Sequence, residues 1–154
     1  MPTDYVRRHL QIGWWWLVAF SAVGLLLESL HGFKVGAYLD MSNETRRLMW
    51  RLAHAHGALM GVVHIAFALT LQAVGLPAMP RVRTISLALQ AAGILLPLGF
   101  FLGGVAFYAG DPGLGVILVP IGAVFLLSGL GLTASSLGVT VTEGRTRKSQ
   151  PRER

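Results

Sequence analysis

Five histidines and no cysteine define the metal chemistry open to this 154-residue chain. Without thiolates, disulfides, cysteine nucleophiles, iron–sulfur clusters and Cys-ligated zinc are excluded. Imidazole is then the one strong transition-metal ligand besides carboxylates. It concentrates in Trp50-Arg51-Leu52-Ala53-His54-Ala55-His56-Gly57-Ala58-Leu59-Met60-Gly61-Val62-Val63-His64. On a helix turning about 100° per residue, Gly61 lies about 20° from His54, Gly57 about 60° to the same side and Ala58 about 40° to the other. His54 therefore stands over a strip poor in side chains, the surface a flat macrocycle needs beneath an axial imidazole. His56 is about 160° away, and His64 is about 80° away and roughly 15 Å further along, so neither shares a metal with His54 on a regular helix. The same strip also matches a Gly-x-x-x-Gly packing motif, with the histidines hydrogen-bonding to neighbouring helices. Periodicity leaves both readings open.

The elements that position these residues are four apolar runs. The chain is 53% hydrophobic and 13% charged, with mean hydropathy +0.59, whereas soluble domains carry about 25% charged residues. The runs cover 12–30, 48–74, 85–108 and 114–137, each long enough to cross a hydrocarbon core about 30 Å thick. The expected architecture is an all-α integral membrane four-helix bundle, a single domain 1–154 with a basic tail over 138–154. The first run opens with Trp14, Trp15 and Trp16, residues that favour the headgroup layer. It is longer than the h-region of a cleavable signal peptide, about 7–15 residues, and no small-x-small cleavage site precedes a soluble domain.

Gly110-Asp111-Pro112-Gly113 predicts a tight turn in which Asp111 caps a helix begun by proline, and Ser42 predicts a cap on the second helix. Asn43-Glu44-Thr45 matches a glycosylation sequon. Pro97 and Pro120 predict kinks in the third and fourth spans. With four spans, nine basic side chains fall on the side of the termini and four on the other, which predicts that both termini are cytoplasmic. The net charge of +6 and pI near 10.8 then read as a topology signal, and no nucleic-acid partner is expected. Ionisable groups inside hydrocarbon are costly and mark functional sites, which singles out Glu28, His54, His56, His64 and Gln90. His9 and His31 fall at span ends, where water and headgroups satisfy them.

The stretch from Trp50 to Gly61 resembles the small four-span membrane isomerases that include styrene oxide isomerase and hydroxylaminobenzene mutase. The shared features are an Ala-His pair, small residues after it and a glycine seven positions beyond the histidine. Gly32-Phe33 and Tyr38 resemble the family's loop after the first span, and Gly99-Phe100-Phe101 an aromatic stretch of the third. The resemblance implies a b-type haem with His54 as axial iron ligand, within a site formed by Trp50, Gly57, Ala58 and Gly61. It implies a substrate pocket at Met60, Phe100 and Phe101, a homo-oligomer of trimeric form, and a multi-pass protein of the bacterial inner membrane, in contact with lipid. The implied activity is redox-neutral rearrangement of a small apolar epoxide or related N–O compound, with ferric iron as Lewis acid.

Two positions depart from the family. Met60 stands where an asparagine is typical, and Phe101 where the isomerase has a catalytic tyrosine, so two hydrogen-bonding groups are missing. Two other readings remain: a b-type cytochrome for electron transfer or haem sensing, with His31 or another subunit's histidine as second ligand, and a non-catalytic membrane scaffold.

Overall fold

The computed structural model describes residues 2–40, 42, 44–107 and 110–148. It is an all-α four-helix bundle whose long helices are α1 (Pro2–Gly32), α3 (Glu44–Val74), α4 (Val82–Val105) and α5 (Leu118–Lys148). A single-turn helix, α2 (Gly36–Leu39), lies between α1 and α3. Among the described residues, four helices are long and apolar enough to cross a membrane. At 1.5 Å per residue the 31 residues of α1 extend about 46 Å, well beyond a hydrocarbon core of about 30 Å.

Helix α1 begins ten residues before the apolar run that announces it. Proline is suited to a helix's first turn, where its missing N–H would go unpaired anyway. Asp4, also in the first turn, complements the helix dipole. The extension matters because it carries His9 into the bundle. At a spacing near 3.5 residues, Val6, His9, Gly13, Phe20, Gly24 and Leu27 form one stripe along α1, the periodicity of a packed helix face.

Helix α1 packs along α3, α3 along α4, and α4 along α5. At the end of the bundle holding the chain's N-terminus, Phe67, Leu71, Met79, Ile85 and Leu89 form a buried cluster, covered by Tyr5 and Val6 from α1 and Leu126, Leu132 and Leu137 from α5. Nearer the middle, Met60, Ala92 and Leu96 form a second. Outward-facing side chains are apolar as well: Trp15 is 72% exposed, Leu25 69% and Leu127 69%. In water such a surface would drive aggregation; against lipid tails it carries no such penalty.

One connection departs from expectation. Asp111 does not cap a helix: a 3₁₀ turn, Leu114–Ile117, follows Gly113, and α5 starts at Leu118. The Gly113 N–H donates to Gly103 O at 2.9 Å, which folds the chain back on the end of α4 and delays the next helix. Gly110, at φ +94°, takes the left-handed turn conformation that side chains disfavour. The fourth span ends at Leu137, and α5 continues as a helix through the first part of the expected basic tail to Lys148. Asn43 of the sequon lies outside the described residues, as do Tyr108 and 149–154, and so does the immediate neighbourhood of the predicted cap at Ser42.

Candidate functional site

The imidazole of His54 turns towards α1. Its Nδ1 lies 2.6 Å from Phe20 O, and because a carbonyl only accepts, Nδ1 carries the proton and Nε2 holds the lone pair. Nε2 has no hydrogen-bond partner among the described residues and is not sealed in the interior. The flat side of the ring rests on Gly24: a methyl group added there would come within 2.5 Å of His54 Cε1.

His54 lines an open groove of about 640 Å³ bounded by α1, α2 and α3, within the range of about 300–1,000 Å³ common for ligand sites. Its walls mix the apolar Leu25 and Leu27 with the polar Glu28, His31, Tyr38 and Arg51. Glu28, singled out as an ionisable group within a span, and His31, expected at a span end, thus share one concavity with His54.

The small-residue strip under His54 has a different occupant from a macrocycle. The Phe20 ring covers Gly57, while Leu17 and the Gly13 backbone cover Gly61. Gly13 is equally confined, since a Cβ there would stand 2.7 Å from Gly61 O. Within one chain Gly57-x-x-x-Gly61 is the seam along which α1 and α3 approach backbone to backbone. The geometry on the α3 surface is as the spacing requires; what faces it is a helix.

The residues expected to line a substrate pocket also separate. Met60 is fully buried between α3 and α4 against Ala92 and Leu96, so it does not line the His54 groove. Phe100 packs on His56, with ring centroids 4.6 Å apart, and the His56 Nδ1–H bonds back to Leu52 O at 2.9 Å. Phe101 stacks on Trp50, which stacks in turn on Tyr38. The Trp50 indole N–H donates to Phe101 O at 3.3 Å. Through this stack Trp50 ties α2 to α4 and supports Tyr38, one wall of the groove. Arg46 and Arg47 brace the same end by donating to carbonyls at the ends of two helices, Arg47 to Asp40 O after α2 at 2.7 Å and Arg46 to Gly104 O in the last turn of α4 at 3.2 Å.

A second polar cluster joins three helices in the other half of the bundle. His9 and His64, both fully buried, face each other Nδ1 to Nδ1 at 2.7 Å. His9 Nε2 meets Ser86 Oγ at 2.8 Å, and the Gln90 amide N–H donates to Ser86 Oγ at 2.9 Å. His64 Nε2 is left buried without a partner, closed off by Gly93, where an added Cβ would stand 3.2 Å away. Two nitrogens holding one tetrahedral metal at about 2.0–2.1 Å each would stand about 3.3 Å apart; the observed separation is that of a shared proton. Among the described residues no group of three or more His, Asp or Glu side chains is arranged to hold a metal. His9, expected to be solvated, is the residue that sequence reasoning missed. Its place on the α1 stripe with Gly13, Phe20 and Gly24 is the signal that could have found it.

No family model, curated protein or solved structure matches this chain.

Proposed function

We propose that this chain is a haem b-binding, multi-pass isomerase of the bacterial inner membrane, acting on a small apolar epoxide or related N–O compound. The observation that supports it is the state of His54: Nδ1 tethered to Phe20 O, Nε2 free, and the ring seated on a glycine beside a groove of ligand size. Axial histidines are oriented by such a hydrogen bond from the other ring nitrogen to a carbonyl or carboxylate. His54 would hold the iron, with Gly24 and Leu25 beside it and Arg51 offering a cation to the group's carboxylates. The chemistry supplied when the group is bound is Lewis-acid polarisation of a substrate oxygen by ferric iron. Leu25 and Leu27 offer an apolar side to a small, weakly polar substrate, and the open side of the groove leaves room for a second copy of the chain in a homo-oligomer.

The glycine seat yields a direct expectation. Gly24→Ala forces the imidazole off its position while leaving the ligand present, and haem retention falls about tenfold, the loss typical when a ligand's supporting contact is removed. Gly131→Ala, whose Cβ would meet only open space, leaves retention unchanged. Absorbance of bound haem per mole of purified protein measures both.

The presence of His31 in the same groove favours one other reading, a b-type cytochrome with two axial histidines. The absorption spectrum of detergent-purified protein made with ample haem tests the two together. A high-spin, five-coordinate ferric spectrum is expected for the isomerase. A low-spin bis-histidine spectrum that His31→Ala converts to high spin supports the cytochrome, and a colourless protein overturns both.

A further inference from the structure

A trough of about 470 Å³ separates the first turns of α1 from the last turns of α3, at the end of the bundle that carries Arg7, Arg8, Arg81 and Arg83. Its walls are Val6 and Leu10 on α1 and Leu71 on α3; its polar groups are the exposed Arg7, Gln11 and Gln72. No acidic side chain lines it. We propose that this trough binds the headgroup and first acyl carbons of one anionic phospholipid, an inference independent of the reading of His54.

Position, charge and shape converge on that occupant. The trough sits where two spans end, at the level at which phosphates and glycerol esters lie. A guanidinium pairs with a phosphate diester through two parallel N–H···O bonds. Two primary amides beside it supply donors to the ester oxygens, which only accept. Val6, Leu10 and Leu71 present hydrocarbon to the carbons that follow. A zwitterionic lipid brings an ammonium that nothing in the lining pairs with, so the lining selects for net negative charge. Basic sites between spanning helices on the cytoplasmic side are a recurrent form of lipid recognition, and the excess of basic residues here marks this as that side.

The test is native mass spectrometry of the full chain in neutral detergent, titrated with phosphatidylglycerol, phosphatidylcholine or inorganic phosphate. One phosphatidylglycerol is expected to remain bound under activation that strips phosphatidylcholine, and millimolar inorganic phosphate leaves it in place. Arg7→Gln weakens phosphatidylglycerol binding about tenfold, the effect of losing a charge-assisted bond. Leu10→Trp, which fills the trough, lowers it as well, with unchanged far-UV helicity as the check on folding; if that variant unfolds, Arg7→Gln decides. Arg83→Gln, outside the trough, has no effect. Equal retention of phosphatidylcholine, full binding by Arg7→Gln, an equal loss in Arg83→Gln, or displacement by inorganic phosphate would each overturn the proposal.

Discussion

His54→Ala is expected to purify as a folded, colourless protein from cells in which the parent chain carries haem. The argument rests on what the side chain does for stability compared with what it does for the ligand. His54 is half-buried, and its one hydrogen bond among the described residues is to Phe20 O, a carbonyl inside α1 that the helix ladder already pairs. Losing that second bond orphans nothing and costs about 0.5–1.5 kcal/mol. On the proposed reading, losing His54 removes the ring nitrogen that would hold the iron, Nε2, which faces the groove with no hydrogen-bond partner among the described residues. Bound haem per protein therefore falls to background while helicity stays at the parent value. His54→Gln behaves the same way, although it can keep a donor near Phe20 O. Imidazole added to His54→Gly restores the spectrum, because the glycine leaves the ring's space open. Full pigment in His54→Ala would sink the assignment of the ligand, and unfolding of both His54→Ala and His54→Gln would show that the residue serves the fold.

The second large effect lies in the buried cluster in the other half of the bundle. His9→Leu and His64→Leu are expected to destabilise the bundle unequally, His9→Leu more. Removing His9 leaves His64 with both nitrogens unpaired and strips Ser86 of one partner, whereas removing His64 leaves His9 still bonded to Ser86. Each unsatisfied buried group costs about 1–3 kcal/mol. Interhelical hydrogen bonds in membrane proteins measure at the low end, about 0.6 kcal/mol on average, so about 1–2 kcal/mol per single variant is the expected scale. The double variant removes both partners together and costs less than the sum, with a coupling of about 1 kcal/mol. Reversible unfolding in mixed detergent micelles measures the cycle. Additive losses, or a larger loss in His64→Leu, would contradict the network. Haem retention is expected to be unchanged in all three, since His64 lies about 15 Å along α3 from His54 and neither His9 nor His64 lines the His54 groove.

Single-helix arithmetic succeeds and fails at one place for one reason. The angles around His54 correctly put Gly57 and Gly61 on its side of α3, because a helix fixes the bearing of every side chain about its own axis. They cannot say what approaches that face. In the structure it is Phe20, Leu17 and Gly13 that cover the strip, and the space left open beside His54 is the groove walled by α1, α2 and α3. Met60 is the converse case. It lies six residues from His54, yet it turns into the core against Ala92 and Leu96, a direction set by α4.

What the chain determines alone follows from solvent and length. Apolar runs long enough to cross a bilayer must become helices to pair their own backbone, basic residues gather at one end of them, and glycine marks the turn at Gly110. The absence of cysteine likewise leaves metal chemistry to histidine before any fold is known. What only the tertiary structure decided is which polar groups meet. His9, His64 and Ser86 are 55 and 77 residues apart in pairs and have no common periodicity to betray them. His31, Glu28 and His54 join in one groove only because α1 lies against α3. Backbone pairing is satisfied within each helix and is therefore legible locally. A buried side chain must find its partner on another helix, and that partner exists only once the helices have packed.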